Sequence, residues 1–252
     1  MVSASTEKKI PYFLTPQVYV SARDDYVVLF DTQSGKYLAL NSRQSRQLAG
    51  MIHGWPDQPD GATPPESEIA PTPQNPGAAG SIVNSLLQRG LLTEDPTIGK
   101  SAAPIAGHTA LETFPITPLE RSLRPYLRYL PGFLLACFRA KMLHRSMHLP
   151  RVLARLQARR RRWGHQVPDE EKLRTLVRAH HHLRPLVYSW KDQCLFDSMV
   201  LLEFLALYRA DATWVFGIHT WPWIPHCWVR WDKYLLNEGS WRAGRYSVLA
   251  EF

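Results

Sequence analysis

From Cys194 to Tyr208 the chain reads Cys-Leu-Phe-Asp-Ser-Met-Val-Leu-Leu-Glu-Phe-Leu-Ala-Leu-Tyr. This is a strong helical pattern with a cysteine at its head, and Leu195, Met199, Leu202 and Leu205 give it a buried stripe. Thirty-two residues after the cysteine, His226 opens a short strand-like run, His-Cys-Trp-Val-Arg-Trp. Glu238 follows twelve residues later, at the end of a second run, Lys233 to Asn237. The order sets a thiol at the start of a helix, an imidazole on a strand and a carboxylate on the next strand.

A chain of 252 residues with 45% hydrophobic residues can build one large domain or two small ones with a real core. The three cysteines, Cys137, Cys194 and Cys227, are odd in number and form no CxxC pair. Neither a disulfide framework nor a cysteine-rich zinc site is implied, and a free thiol fits a reducing compartment. The N-terminus has no apolar stretch of signal-peptide type, and the longest apolar stretches, Phe133 to Phe138 and Met199 to Tyr208, are too short to span a bilayer. A cytoplasmic protein is expected. Much of the +8 net charge lies between Arg139 and Arg162, including the run Arg159 to Arg162. Such a segment is either a solvated helix face or an electrostatic dock for an anionic partner. No aromatic-interleaved nucleic-acid module accompanies it, so nucleic acid is not an expected partner.

Three short antiparallel strands are expected at Gln17 to Val20, Tyr26 to Phe30 and Lys36 to Leu40. Arg23 to Asp25 and Thr32 to Gly35 supply the turns. Asn41 or Ser42 caps a helix ending near His53-Gly54; Trp55 to Ala79 reads as a loop with at most one short helical piece. Ser81 caps a second helix to Arg89, which Gly90 ends. Residues 1–95 form this module and 96–114 read as a linker. The second domain covers 115–252, helical from Leu119 to Trp190 and broken by Pro131, Pro150, Gly164, Pro168 and Pro185.

The thiolate is the reactive form of cysteine, and two features here favour it: a helix N-terminus, capped by Asp192 or Gln193, and a neighbouring imidazolium. His226 is the candidate general acid and base, and a carboxylate would orient its other ring nitrogen. The Cys194 backbone N–H, with Gln193 as candidate side-chain donor, would hold an oxyanion. Each residue also has a plainer reading. A helical cysteine beside Leu and Phe is more often a small core residue, and a lone His before Trp is more often structural. Cys227 adjoins His226, so on a strand the two point to opposite faces, which argues against Cys227 as the partner of His226. His219, His226 and the cysteines lack zinc-site spacing, and no metal is expected. The triplet His180-His181-His182 reads as solvated surface, and the six tryptophans between Trp214 and Trp241 as either a groove or sheet packing.

The C-terminal half resembles the lasso-peptide B-protein leader peptidases, which have a transglutaminase-like fold. The resemblance rests on Cys194-Leu before the apolar helix, Trp214-Val-Phe-Gly217-Ile, His226-Cys-Trp-Val and Leu235-Leu-Asn-Glu238. The first ninety residues resemble the PqqD-like precursor-recognition module through Tyr37-Leu-Ala-Leu40-Asn41 and Leu86-Leu-Gln-Arg-Gly90-Leu. The implied fold is α+β: an N-terminal winged-helix-like module, then a transglutaminase/papain-like domain with a helical subdomain. The implied activity is a cysteine peptidase that removes the leader of a ribosomal precursor, freeing an amine for ring closure by a macrolactam synthetase. The family's third position is normally Asp; here it is Glu238, with Asp232 as the competing acid. The leader would add as a strand along Lys36, Tyr37, Leu38, Ala39 and Leu40, with Val83, Leu86 and Leu87 as pocket walls. No bound cofactor is expected; the chain has no Walker motif, so ATP use would belong to the synthetase. A transglutaminase-like acyltransferase with the same triad, or a non-catalytic adaptor that delivers the precursor, would fit the same residues.

Overall fold

The computed structural model describes residues 12–23, 25–56, 76–105, 111–115, 124–146, 149–163, 169–189, 193–220 and 222–252. Gly164, Pro168, Asp192, Trp221 and most of the expected loop after Trp55 lie outside them. The chain divides into two compact units between Ile105 and Ala106.

In the first unit, alternating apolar residues build an antiparallel sheet from β2 (Val18–Arg23), β3 (Tyr26–Asp31) and β4 (Lys36–Asn41), after the short β1 (Phe13–Leu14). Asn41 caps α1 (Ser42–Leu48) in a reciprocal box with Gln44. The helix is shorter than expected: the chain turns through Gly50 at φ +74° and sends Ile52 into the core. α2 (Pro76–Gln88) begins before the expected Ser81 cap and ends where Gly90 takes φ +69°. The Leu91 and Gly90 N–H groups close on the Leu86 and Leu87 carbonyls, a Schellman ending. β5 (Leu92–Thr93) then pairs with β1. Val18, Val20, Val27, Leu29, Leu40, Leu48, Val83 and Leu86 fill the core between sheet and helices.

The stretch 96–114, expected as a linker, is divided between the units. Lys100 exchanges backbone hydrogen bonds with Leu14, and Ala102 donates to His53 and is fully buried, so this part belongs to the first unit. Glu112 and Thr113 form β6 in the sheet of the second. Proline, glycine and small residues mark the segment as linker, but Lys100 pairs with Leu14, and Glu112 and Thr113 pair with Tyr234 and Leu235.

The second unit is built around one helix. α3 (Arg124–Leu127), α4 (Leu130–Ser146), α5 (Leu149–Trp163) and α6 (Glu170–Val187) precede α7 (Cys194–Leu207). Pro131 and Pro150 sit in the first turns of α4 and α5, where a missing N–H costs nothing. Pro185 does not break α6; it falls in the last turn, and the helix ends two residues later. The sheet runs in the order β10 (Ser247–Glu251), β7 (Thr213–Thr220), β8 (Trp223–Trp231), β9 (Tyr234–Leu235), β6, with only the β6–β9 pair parallel. α8 (Ser240–Ala243) is a single turn between β9 and β10.

Every residue of α7 from Asp197 to Ala206 is buried, not one stripe alone. Phe133, Ala136, Cys137 and Ala140 of α4 are buried with the helical spacing of its inner face, and the sheet contributes Trp214 and Trp228. Large apolar side chains of this kind each contribute about 1.5–3 kcal/mol on burial. The remaining tryptophans divide: Trp231 stacks on Tyr234, while Trp223 and Trp241 are exposed.

The His triplet is not solvated. Successive helix positions differ by about 100° in direction, so the three rings meet three different elements. His180 faces Asp197, His181 bonds the Leu236 carbonyl and His182 stacks on Tyr126. Burial, opposed by Asp197, carries His180 down to about 3, so it packs as a neutral ring. The Arg159–Arg162 run is partly structural. Arg159, with Arg155, clasps the buried Glu203, and Arg160 binds Asp211 and the Ala212 carbonyl.

Candidate active site

The site forms where the first turn of α7 meets β8. Cys194 is half-buried at the N-terminus of α7, whose first main-chain hydrogen bond runs from Asp197 N–H to the Gln193 carbonyl. The free N–H groups before it give the helix start partial positive charge beside the sulfur. Gln193 occupies the cap position, exposed, and its side chain makes no capping bond.

His226 lies on β8 opposite Gly217 and is 7% exposed. Its Nε2 is 2.6 Å from Glu238 Oε2. Glu238 follows β9, and its other oxygen accepts the Gly239 N–H at 2.9 Å. Asp232 is elsewhere: it is exposed in the β8–β9 turn at φ +50°, and its backbone carbonyl accepts from Arg230. Of the two candidate acids, the structure brings Glu238 to the imidazole. Tyr246 packs on the His226 ring at 4.9 Å between centroids, and Trp228 lies 5.9 Å from that ring and 6.1 Å from Tyr246.

The electrostatics make an ion pair. The Cys194 thiol is drawn down to about 4. The Cys227 side chain is the largest cause; burial opposes it, and His226 and the Cys227 backbone N–H add to it. Burial would lower His226, but its interactions with Cys194 and Glu238 outweigh that and raise it to about 9. Glu238 is held below its ordinary value: burial opposes, while His226, the Gly239 N–H and Arg242 prevail. Cys227 stays a thiol, pushed well up by burial and then by the Cys194 anion.

Two features were not foreseen from the sequence. Strand parity argued against Cys227 as the partner of His226. Cys194, however, interacts with the side chains of both Cys227 and His226 and with the Cys227 backbone N–H. Ser198, one turn into α7, fixes the same place: its hydroxyl donates to the Cys227 carbonyl at 3.4 Å and lies 3.9 Å from the Cys227 sulfur. The second feature is a buried polar network below the thiol. Asp197 accepts from Tyr188 Oη and Asn237 Nδ2, each at 2.8 Å, and faces Arg184 at 3.5 Å. Asn237 also accepts the Val229 N–H at 2.8 Å and donates to Ser198. Asn237 precedes Glu238, so the network ties the start of α7 to the strand end that carries the acid. A buried aspartate three residues past the cysteine, and an amide beside the acid, were the available signals.

The residues expected to receive a leader lie in the first unit. β4 is an edge strand. Lys36 and Ala39 are exposed, Tyr37 and Leu38 partly buried and Leu40 buried; Tyr37 stacks on Phe30 at 4.5 Å. Val83 and Leu86 are each 1% exposed and lie in the core of this unit. Leu87 is partly buried at the margin of that core.

Among the described residues, no group of three or more His, Cys, Asp or Glu side chains could hold a metal ion, and no helix is long and apolar enough to cross a membrane. No curated protein and no solved structure matches the chain. Residues 134–251 match the family model of the transglutaminase-like superfamily, which includes cysteine peptidases and acyltransferases. The match spans α7, β7, β8, β9 and β10, together with Cys194, His226 and Glu238, and the C-terminal part of the chain is a transglutaminase-like domain.

Proposed function

We propose that the protein is a leader peptidase of lasso peptide biosynthesis, in which Cys194 cleaves the bond between leader and core of a ribosomal precursor. The observation that carries the reading is the convergence of Cys194, His226 and Glu238 from α7, β8 and the end of β9. The Cys194 thiolate attacks the scissile carbonyl, and the resulting oxyanion is held by the free N–H groups at the start of α7, with Gln193 beside them. The His226 imidazolium passes its proton to the departing amine, which leaves as the N-terminus of the core. A thioester remains on the leader. His226, now neutral, takes a proton from water, whose oxygen attacks the thioester and expels the Cys194 thiolate. Glu238 holds the ring in place and stabilises its charged form through both half-reactions.

Two observations support a peptide substrate brought by its leader. The first unit presents β4 as an edge strand, which an extended peptide can extend by backbone hydrogen bonds. Its side chains Lys36, Tyr37, Leu38 and Ala39, together with Leu87 at the margin of the core, are offered as the source of selectivity. The released amine is the group that a macrolactam synthetase then consumes, and ATP use rests with that partner.

The test is incubation of a lasso precursor peptide with wild type and Cys194→Ala, with and without synthetase, read by mass spectrometry. Wild type alone is expected to release leader with an added water. Leader recovered as an amide of another amine would assign acyl transfer instead, and equal processing by both proteins would leave only an adaptor.

A further inference from the structure

The excess positive charge of the chain resides in the second unit: residues 106–252 hold 22 Lys and Arg against 12 Asp and Glu. Part of it converges on an open cleft of about 780 Å³, lined by Arg139, Arg155, Arg159, Arg162 and Arg209 around an apolar floor that includes Leu207. The cleft lies at the C-terminal end of α7. Cys194 is at the other end, about 20 Å away along a helix of this length.

Three facts set this cleft apart from a solvated helix face. First, only Arg155 and Arg159 are neutralised, by Glu203; Arg139, Arg162 and Arg209 have no ion-pair or hydrogen-bond partner among the described residues. Like charges gathered in one concavity repel unless an anion joins them. Second, Arg209 takes φ +56° as the residue that ends α7. The Ala210 and Arg209 N–H groups close on the Leu205 and Ala206 carbonyls, the same ending that Gly90 gives α2. Glycine is the residue suited to that position, so the arginine is held there against backbone preference. Third, α4 carries an uncovered apolar stripe next to the cleft. Leu135 and Met142 lie one turn on either side of Arg139, and Phe138 beside it is 62% exposed.

We propose that this surface docks an acidic segment of a partner polypeptide, with glutamates or aspartates in the arginine cleft and apolar side chains on α4. Planar guanidinium groups suit carboxylates, which they bind in bidentate pairs. Among the described residues, the cleft lining contains no aromatic ring to stack a base, which disfavours nucleic acid. The cleft is remote from Cys194, so docking there does not depend on which bond Cys194 cleaves.

The test uses the full-length protein and a fluorescein-labelled peptide of repeating Glu-Glu-Leu, read by anisotropy. The peptide is expected to bind, to weaken with added NaCl, and to outcompete a Gln-Gln-Leu repeat. Combining Arg139→Gln, Arg162→Gln and Arg209→Gly should weaken it by about tenfold or more. Arg209→Gly alone should weaken binding while raising the thermal midpoint, which separates lost docking from lost folding. Affinity unchanged in the combined variant, or equal for the Glu and Gln repeats, overturns the proposal. Tighter binding of oligothymidylate or tripolyphosphate than of the acidic peptide overturns it as well.

Discussion

At the scale of single residues, two sulfurs and one imidazole set the charge state of the candidate site. Because Cys194 is drawn down to about 4 and His226 raised to about 9, the ion pair persists between those values. The rate constant kcat/KM is expected to rise through the first and fall through the second. Alkylation by iodoacetamide reports the thiolate directly, and its midpoint for Cys194 should lie near 4 in wild type. Cys227→Ala removes the largest contribution to that depression and should move the midpoint up; Cys227→Ser, which keeps a donor, should move it less. An unchanged midpoint in Cys227→Ala would remove the second cysteine from the site. Asp197 makes a separate prediction. Burial opposes its ionisation, but His180, Arg184, Asn237 and Tyr188 hold it below the ordinary carboxylate value. A depressed group stabilises the fold above its unfolded pKa, and that stability is lost as pH falls through the folded value. Asp197→Asn should therefore flatten the acid limb of stability, and Asp197→Ala should cost about 3–5 kcal/mol by leaving Arg184 buried without its carboxylate.

At the scale of elements, β7 and β8 hold the imidazole by close packing. Gly217 pairs with His226, and a Cβ there would meet Trp228 ring carbons at 2.8 and 2.9 Å. Trp228 is fully buried and cannot retreat. Gly217→Ala should cost about 1–3 kcal/mol through overpacking, and it should slow turnover further by displacing His226. Urea unfolding read beside kcat separates the two effects. Gly90→Ala is the contrasting case. A Cβ there meets nothing within 4 Å, so the cost is that of φ +69° alone, about 1 kcal/mol.

At the scale of the molecule, the sheet edge β4 and Cys194 belong to different compact units. If the first unit captures the leader, it raises the local concentration of the scissile bond at the thiolate. Removing residues 1–105 should leave the rate of Cys194 alkylation near that of the full chain and sharply reduce cleavage of a full-length precursor. Equal cleavage by both proteins would count against leader capture by the first unit.

The amino-acid sequence by itself determined the elements whose signals are local. Alternation wrote β2, β3 and β4, an uninterrupted apolar pattern wrote α7, and Asn41 and Gly90 marked a helix start and a helix end. The order of Cys194, His226 and Glu238 was legible too, because each stands at a recognisable element boundary. Only the tertiary structure decided between Glu238 and Asp232, since strand parity is lost across a turn whose residue sits at positive φ. It also brought Cys227 to Cys194, buried the His triplet and divided the tryptophans between core and surface. Those outcomes depend on which faces of α6, α7 and β8 come together. Such packing joins residues tens of positions apart, and no propensity read over a few neighbours contains it.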